Sequence, residues 1–279
     1  MQNQWLRACA LTFVAVVVLA SGCAAPTPGA APVDGPGAGG PCTVQRRNLA
    51  NPADWRHDVA LFEPTDSGSP WTGGACGDDQ RPVVLLAHGY GGSAPEVYQG
   101  LIDHLVGHGF IVVFPPYDAE FNPRFQYRTV EAGLDAALGA TTRADTTRFG
   151  VIGHSFGGGM SPHLVQVVSG RGWGDRALWT VMFAPWFAYE VGTGRIDVPP
   201  NTRAAVVGYD EDRFVDNRIG IDIFRSLAVP NDQKLHVTVR SDRTVTPALI
   251  ADHLGPLSFP LPFLGTLSSD HFDRWSADR

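Results

Sequence analysis

Arg148–Gly159 reads RFGVIGHSFGGG, and the fold turns on this stretch. The strand-like run Arg148–Ile152 passes directly into Gly153-His154-Ser155-Phe156-Gly157, and a helical pattern follows to about Val168. A serine between two glycines at a strand–turn–helix junction has the context of a nucleophile elbow. The glycines are needed because such a turn is tight and neighbouring backbone crowds it. The serine is lifted clear of the sheet, and its hydroxyl faces the cleft at the strand ends. The helix that follows points the positive partial charge of its N-terminus at the same place. Five residues alone match by chance in a Gly-rich chain; the flanking strand and helix make the match specific.

Working outward, the run Pro82–Ala87 (PVVLLA) is continuously apolar, as expected of a strand buried on both faces. Val59–Phe62 forms a short strand before it. A helix near Glu96–Gly107, a strand at Phe110–Phe114 and a helix at Phe125–Leu138 lead up to the elbow. Beyond it come strands at Ala177–Phe183, Thr202–Val207 and Lys234–Arg240, with a helix at Asp216–Leu227. Repeated strand–helix alternation argues an α/β fold, a mostly parallel sheet with helices on both faces. A second Gly-rich turn, His88-Gly89-Tyr90-Gly91-Gly92, follows PVVLLA.

Together these features resemble the α/β-hydrolase superfamily. LAHGYGGSAPEVYQGLIDHLVGHGFIVVFPPY (86–117) looks like the corresponding region of cutinase-like esterases, chlorophyllases and bacterial polyester hydrolases. The resemblance implies an oxyanion hole made by the backbone N–H groups of Tyr90 and Phe156. Phe183-Ala184-Pro185-Trp186 is similar to a segment of the polyesterases whose Trp lines the acyl-binding cleft, which implies that role for Trp186. Tyr90, Phe156, Trp186 and Phe187 are then expected to form an aromatic cleft. No long helical lid is apparent between Trp186 and Thr202.

A serine nucleophile needs a base, and the base needs an acid to fix its tautomer. In this superfamily the order is Ser, acid, His. Family acids sit in a G-x-x-(x)-D-x-x-V pattern, which Asp212 meets with Val215; Asp210 is the alternative. Asp216 reads better as a helix N-cap. Of the nine histidines, just His253 and His271 lie beyond the final strand. His253, in Ala251-Asp252-His253, resembles one branch of chlorophyllase-like hydrolases, whereas His271, in Ser269-Asp270-His271-Phe272, resembles the polyesterases. His253, 12 positions past Ser241, is the expected base, and His271 is the alternative.

The N-terminus reads as an address. Residues 1–22 carry one cation, Arg7, and an apolar core shorter than a bilayer span of roughly 20 residues. Ala20-Ser21-Gly22-Cys23 resembles a lipobox, implying lipidation at Cys23 and a membrane-anchored protein; ordinary secretion is the alternative. Residues 23–42 are rich in Ala, Pro and Gly and form a tether, leaving residues 43–279 as the hydrolase domain. In an exported protein Cys42 and Cys76 are a natural disulfide, the alternative being two free thiols.

The whole chain has 279 residues, four cysteines and a formal charge of -7, with no Lys/Arg cluster, so a nucleic-acid partner is excluded as the default. No cofactor and no metal site is expected: Asp210, Glu211 and Asp212 read as a solvated turn rather than a Ca²⁺ loop. The expectation is a monomeric, exported serine esterase acting on short-chain, aryl or polymeric esters. Amidase, peptidase or lipase activity on the same triad, and a catalytically silent cell-surface binding protein, are the alternatives.

Overall fold

The computed structural model describes residues 38–66, 76–77, 79–118, 123–192, 194–246 and 248–258. The address segment 1–22, Cys23, most of the tether and His271 lie outside the described residues.

Among the described residues eight strands form one sheet: β1 (Thr43–Asn51), β2 (Asp54–Thr65), β3 (Arg81–Ala87), β4 (Ile111–Phe114), β5 (Ala144–His154), β6 (Ala177–Phe183), β7 (Thr202–Tyr209) and β8 (Lys234–Val239). Their order is β1-β2-β4-β3-β5-β6-β7-β8. β2 runs antiparallel to both its neighbours, and β4, β3, β5, β6, β7 and β8 are mutually parallel. Among the described residues four α-helices cover the sheet: α1 (Gln99–Gly107), entered through a 3₁₀ turn at Pro95–Tyr98, α2 (Pro123–Gly139), α3 (Phe156–Gly170) and α4 (Asn217–Ser226).

Alternation along the central strands sorts the core into two layers. Val83, Leu85 and Ala87 face one way and pack with α2, α3 and α4 through Val130, Leu134, Leu164, Val165 and Ile223. Val84 and Leu86 face the other way and pack against α1 through Leu101, Ile102 and Val106. All five β3 residues are wholly inaccessible to solvent, which is why that run carries no polar alternation. Asp216 caps α4, its carboxylate accepting the Arg218 N–H at 2.9 Å.

The expected short strand at Val59–Phe62 needs correction. It is the buried centre of the longer β2, which forms a hairpin with β1. β1 itself (TVQRRNLAN) had no apolar run to announce it, because an edge strand buries little. Its cations are instead held laterally: Arg47 donates to the buried carboxylate of Glu63 at 2.7 Å.

Cys42 and Cys76 form a disulfide across a separation of 34 residues. By chain-entropy reasoning a closure of that length stabilises the fold by about 4 kcal/mol. Such bonds persist in oxidising, extracellular compartments. Among the described residues no helix is long and apolar enough to cross a membrane, and none lies between β6 and β7.

Candidate active site

The elbow follows from local geometry. β5 ends at His154, α3 begins at Phe156, and Ser155 between them has φ 54° and ψ -114°. A side chain held in that region costs on the order of 1–3 kcal/mol, offset by the packing around it. Glycine is required on both sides. A Cβ on Gly153 would lie 2.2 Å from the Gly157 carbonyl oxygen, and one on Gly157 would lie 2.2 Å from that of Ala87. The Ser155 N–H donates to the Phe183 carbonyl at 2.9 Å, tying the elbow to β6.

Two further loops at the same end of the sheet reach Ser155. His253, after β8, has Nε2 2.9 Å from Ser155 Oγ and Nδ1 2.8 Å from Asp212 Oδ2. Asp212 follows β7; its other oxygen accepts the N–H groups of Phe214 and Val215 at 2.8 and 2.9 Å. Its side chain is 1% exposed. Burial alone would push its pKa up, but hydrogen bonds from His253, Val215 and Phe214 outweigh burial and hold the carboxyl below its ordinary value. The ionised carboxylate only accepts, so Nδ1 carries the imidazole hydrogen and Nε2 offers its lone pair to the serine hydroxyl.

Asp210 does not touch His253. Its carboxylate accepts both the N–H and the hydroxyl of Ser241 at 3.0 Å. Ser241 Oγ in turn accepts the Ala251 N–H at 3.0 Å, so this carboxylate holds the start of the His253 loop.

The Gly89–Tyr90 turn packs directly against the elbow. A Cβ on Gly89 would lie 3.2 Å from Ser155 Cβ. Phe156 is the first residue of α3, where a backbone N–H has no partner within the helix. The expected aromatic cleft needs revision. The Phe156 ring is fully buried in the core, tilted against Tyr189 with ring centroids 5.1 Å apart. Phe187 is about half exposed and is not among the residues lining the cleft, whereas Tyr90 and Trp186 are. Phe214, Val215, Leu254 and Leu257 complete an apolar cleft of about 440 Å³ over Ser155 and His253. Phe214 is 74% exposed, with its ring centroid 5.4 Å from that of His253. Its place two residues after Asp212 was the available signal for it.

A larger hollow of about 780 Å³ opens at the starts of β6 and β7, lined by Asp175, Arg176, Asn201, Arg203 and Asp232 among others. It lacks a nucleophile–base pair, and ligands of open α/β sheets bind at the opposite, carboxyl ends of the strands.

Two more histidines of the motifs, His88 and His154, are wholly buried. Burial, chiefly, lowers their pKa values from 6.5 to about 4 and about 3. The unfolded chain takes up these protons below pH 6.5 and the folded protein refuses them until about pH 4 and 3. Stability is therefore full above pH 6.5 and falls as pH drops through that window. At pH 5 each histidine is expected to cost about 2 kcal/mol relative to pH 8. Urea unfolding at the two pH values measures this, and equal unfolding free energies would contradict it.

Strand order and elbow define the class of fold: it is that of the α/β-hydrolases. More narrowly, residues 75–165 match the sequence profile of the chlorophyllase family, a span containing both Gly-rich turns and ending before Asp212 and His253. The match points to an ester-hydrolase type of enzyme at the level of the superfamily, not to the cutinase-like branch. No curated protein matches the chain.

Proposed function

We propose that the protein is an exported serine hydrolase of carboxylic esters, with Ser155 as nucleophile, His253 as base and Asp212 as its orienting acid. The observation that carries the reading is the hydrogen-bonded chain Ser155–His253–Asp212 on the floor of an apolar cleft.

Ser155 Oγ attacks the ester carbonyl carbon while its proton passes to His253 Nε2, and Asp212 stabilises the imidazolium. The backbone N–H groups of Tyr90 and Phe156 take the oxyanion. Collapse of the tetrahedral species breaks the carbon–oxygen bond to the alcohol, which leaves with the proton from His253. Water then attacks the acyl-enzyme, with His253 again as base, and the acid departs as Ser155 regains its hydrogen. The cleft wall of Tyr90, Trp186, Phe214, Leu254 and Leu257 suits short acyl, aryl or polymeric esters. Export rests on the 1–22 address and is supported by the Cys42–Cys76 disulfide. Lipidation of Cys23 and the tether 23–42 would hold the domain near a membrane, which globomycin-sensitive processing of the precursor tests.

A fluorophosphonate probe should add once, at Ser155, in wild-type protein and not at all in Ser155→Ala. Labelling that persists in Ser155→Ala would sink the mechanism. In a p-nitrophenyl ester series the short chains should be preferred, and a preference for long chains would overturn the substrate class.

A further inference from the structure

We propose that Tyr98 and His154 act as positioning residues, forming a hydrogen-bonded strut under Ser155 that fixes the oxyanion turn and the base loop relative to each other. The inference rests on the reading of Ser155, His253 and the Tyr90 N–H given above, and adds two residues that this mechanism does not use.

The direction of every bond in the strut is determined. His154 Nε2 lies 2.9 Å from the backbone carbonyl oxygen of His253. A carbonyl only accepts, so Nε2 carries the hydrogen. The ring is buried and neutral, which leaves Nδ1 as an acceptor. The Tyr98 hydroxyl sits 2.9 Å from Nδ1 and donates to it. Tyr98 Oη then has its lone pairs free to accept the Gly89 N–H, at 2.7 Å. The chain therefore runs Gly89 N–H to Tyr98 hydroxyl to His154 ring to His253 carbonyl.

Both ends of this chain are backbone atoms of the loops that the mechanism needs in register. Gly89 immediately precedes Tyr90, the proposed oxyanion donor, and His253 is the proposed base. The middle of the chain is anchored in the sheet: His154 is the last residue of β5, and Tyr98 is 1% exposed within the α1-side core. An apolar pair of similar shape would fill the same space without burying two polar side chains, a choice that is costly unless every group is bonded. Here each ring nitrogen and the hydroxyl has its partner, so the polar pair specifies the separation and orientation of the two loops. Misplacing catalytic groups by a fraction of their contact distance lowers the rate of the chemical step without weakening the binding of a small substrate.

The test compares Tyr98→Phe, His154→Gln and His154→Leu with wild type, by kcat and KM for p-nitrophenyl acetate and by thermal melting. Tyr98→Phe should lower kcat about tenfold, short of the roughly hundredfold cost of deleting an oxyanion donor outright, with KM within about twofold. His154→Gln keeps an amide donor within reach of the His253 carbonyl and should recover most of the kcat lost in His154→Leu. A folded Tyr98→Phe with wild-type kcat, equal losses in the Gln and Leu variants, or a loss confined to KM would overturn the strut. Should the variants not fold, a long-range ¹H–¹⁵N correlation spectrum of the wild type decides. It should show His154 with its hydrogen on Nε2, and an Nδ1–H tautomer would overturn the assignment. Wild-type protein with neither esterase activity nor probe labelling at Ser155 would instead remove the functional reading, and the strut with it. An active wild type with a silent Tyr98→Phe removes the strut alone.

Discussion

Ser155→Ala is expected to lower kcat on a soluble ester by about a million-fold, and His253→Ala by nearly as much. In the proposed mechanism the two act on one proton, which would cross the 2.9 Å contact between Oγ and Nε2, so losing either end removes the same step. The double variant should therefore be no slower than either single one, whereas independent contributions would multiply. Residual turnover of about a thousandfold over water should remain, supplied by the oxyanion N–H groups and the cleft. Steady-state kinetics on the three variants, with melting curves to confirm folding, makes the comparison. Activity retained in His253→Ala and lost in His271→Ala would transfer the base to His271.

The second large effect is expected at Asp212. Asp212→Asn preserves shape but introduces an amide that donates, so Nδ1 must now accept and the hydrogen moves to Nε2, facing Ser155. A base in the wrong tautomer cannot take the serine proton, and kcat should fall by about 10⁴-fold with KM little changed. Asp210→Asn should cost less than about tenfold, because Asp210 reaches the site only through Ser241 and the start of the His253 loop. The two carboxylates are two residues apart, so the pair of variants is internally controlled. A 10⁴-fold loss in Asp210→Asn with a mild Asp212→Asn would reverse the roles.

Much of the fold was legible where burial is two-sided. Pro82–Ala87 announces itself because a parallel strand covered on both faces has no polar side to interrupt it. β1 was not legible, since an exposed edge strand obeys hairpin pairing with β2 rather than any apolar pattern of its own.

Within the site, Gly153 answers to a short-range clash with the Gly157 carbonyl, which sequence displays directly, whereas Gly157 answers to the distant Ala87 carbonyl. The meeting of Ser155 with His253 spans 98 positions, and chain order narrows the base only to His253 or His271. The cleft was harder still. Phe156 sits beside the nucleophile in sequence, yet its ring is wholly buried and serves the core. Phe214 was signalled by nothing but its place two residues after Asp212, and the Tyr98–His154 pair depends on which elements meet in space, of which one-dimensional pattern carries no trace.

The disulfide bears on how the domain meets force. Tension entering from the N-terminal side arrives at Cys42 and passes through the covalent bridge to Cys76. Everything between those residues, including the β1–β2 hairpin, is thereby shunted out of the load path. An edge strand pulled from its end would otherwise unzip one hydrogen bond at a time. With the bridge closed, such tension is borne by the interior of the sheet, and its exposed margin stays slack.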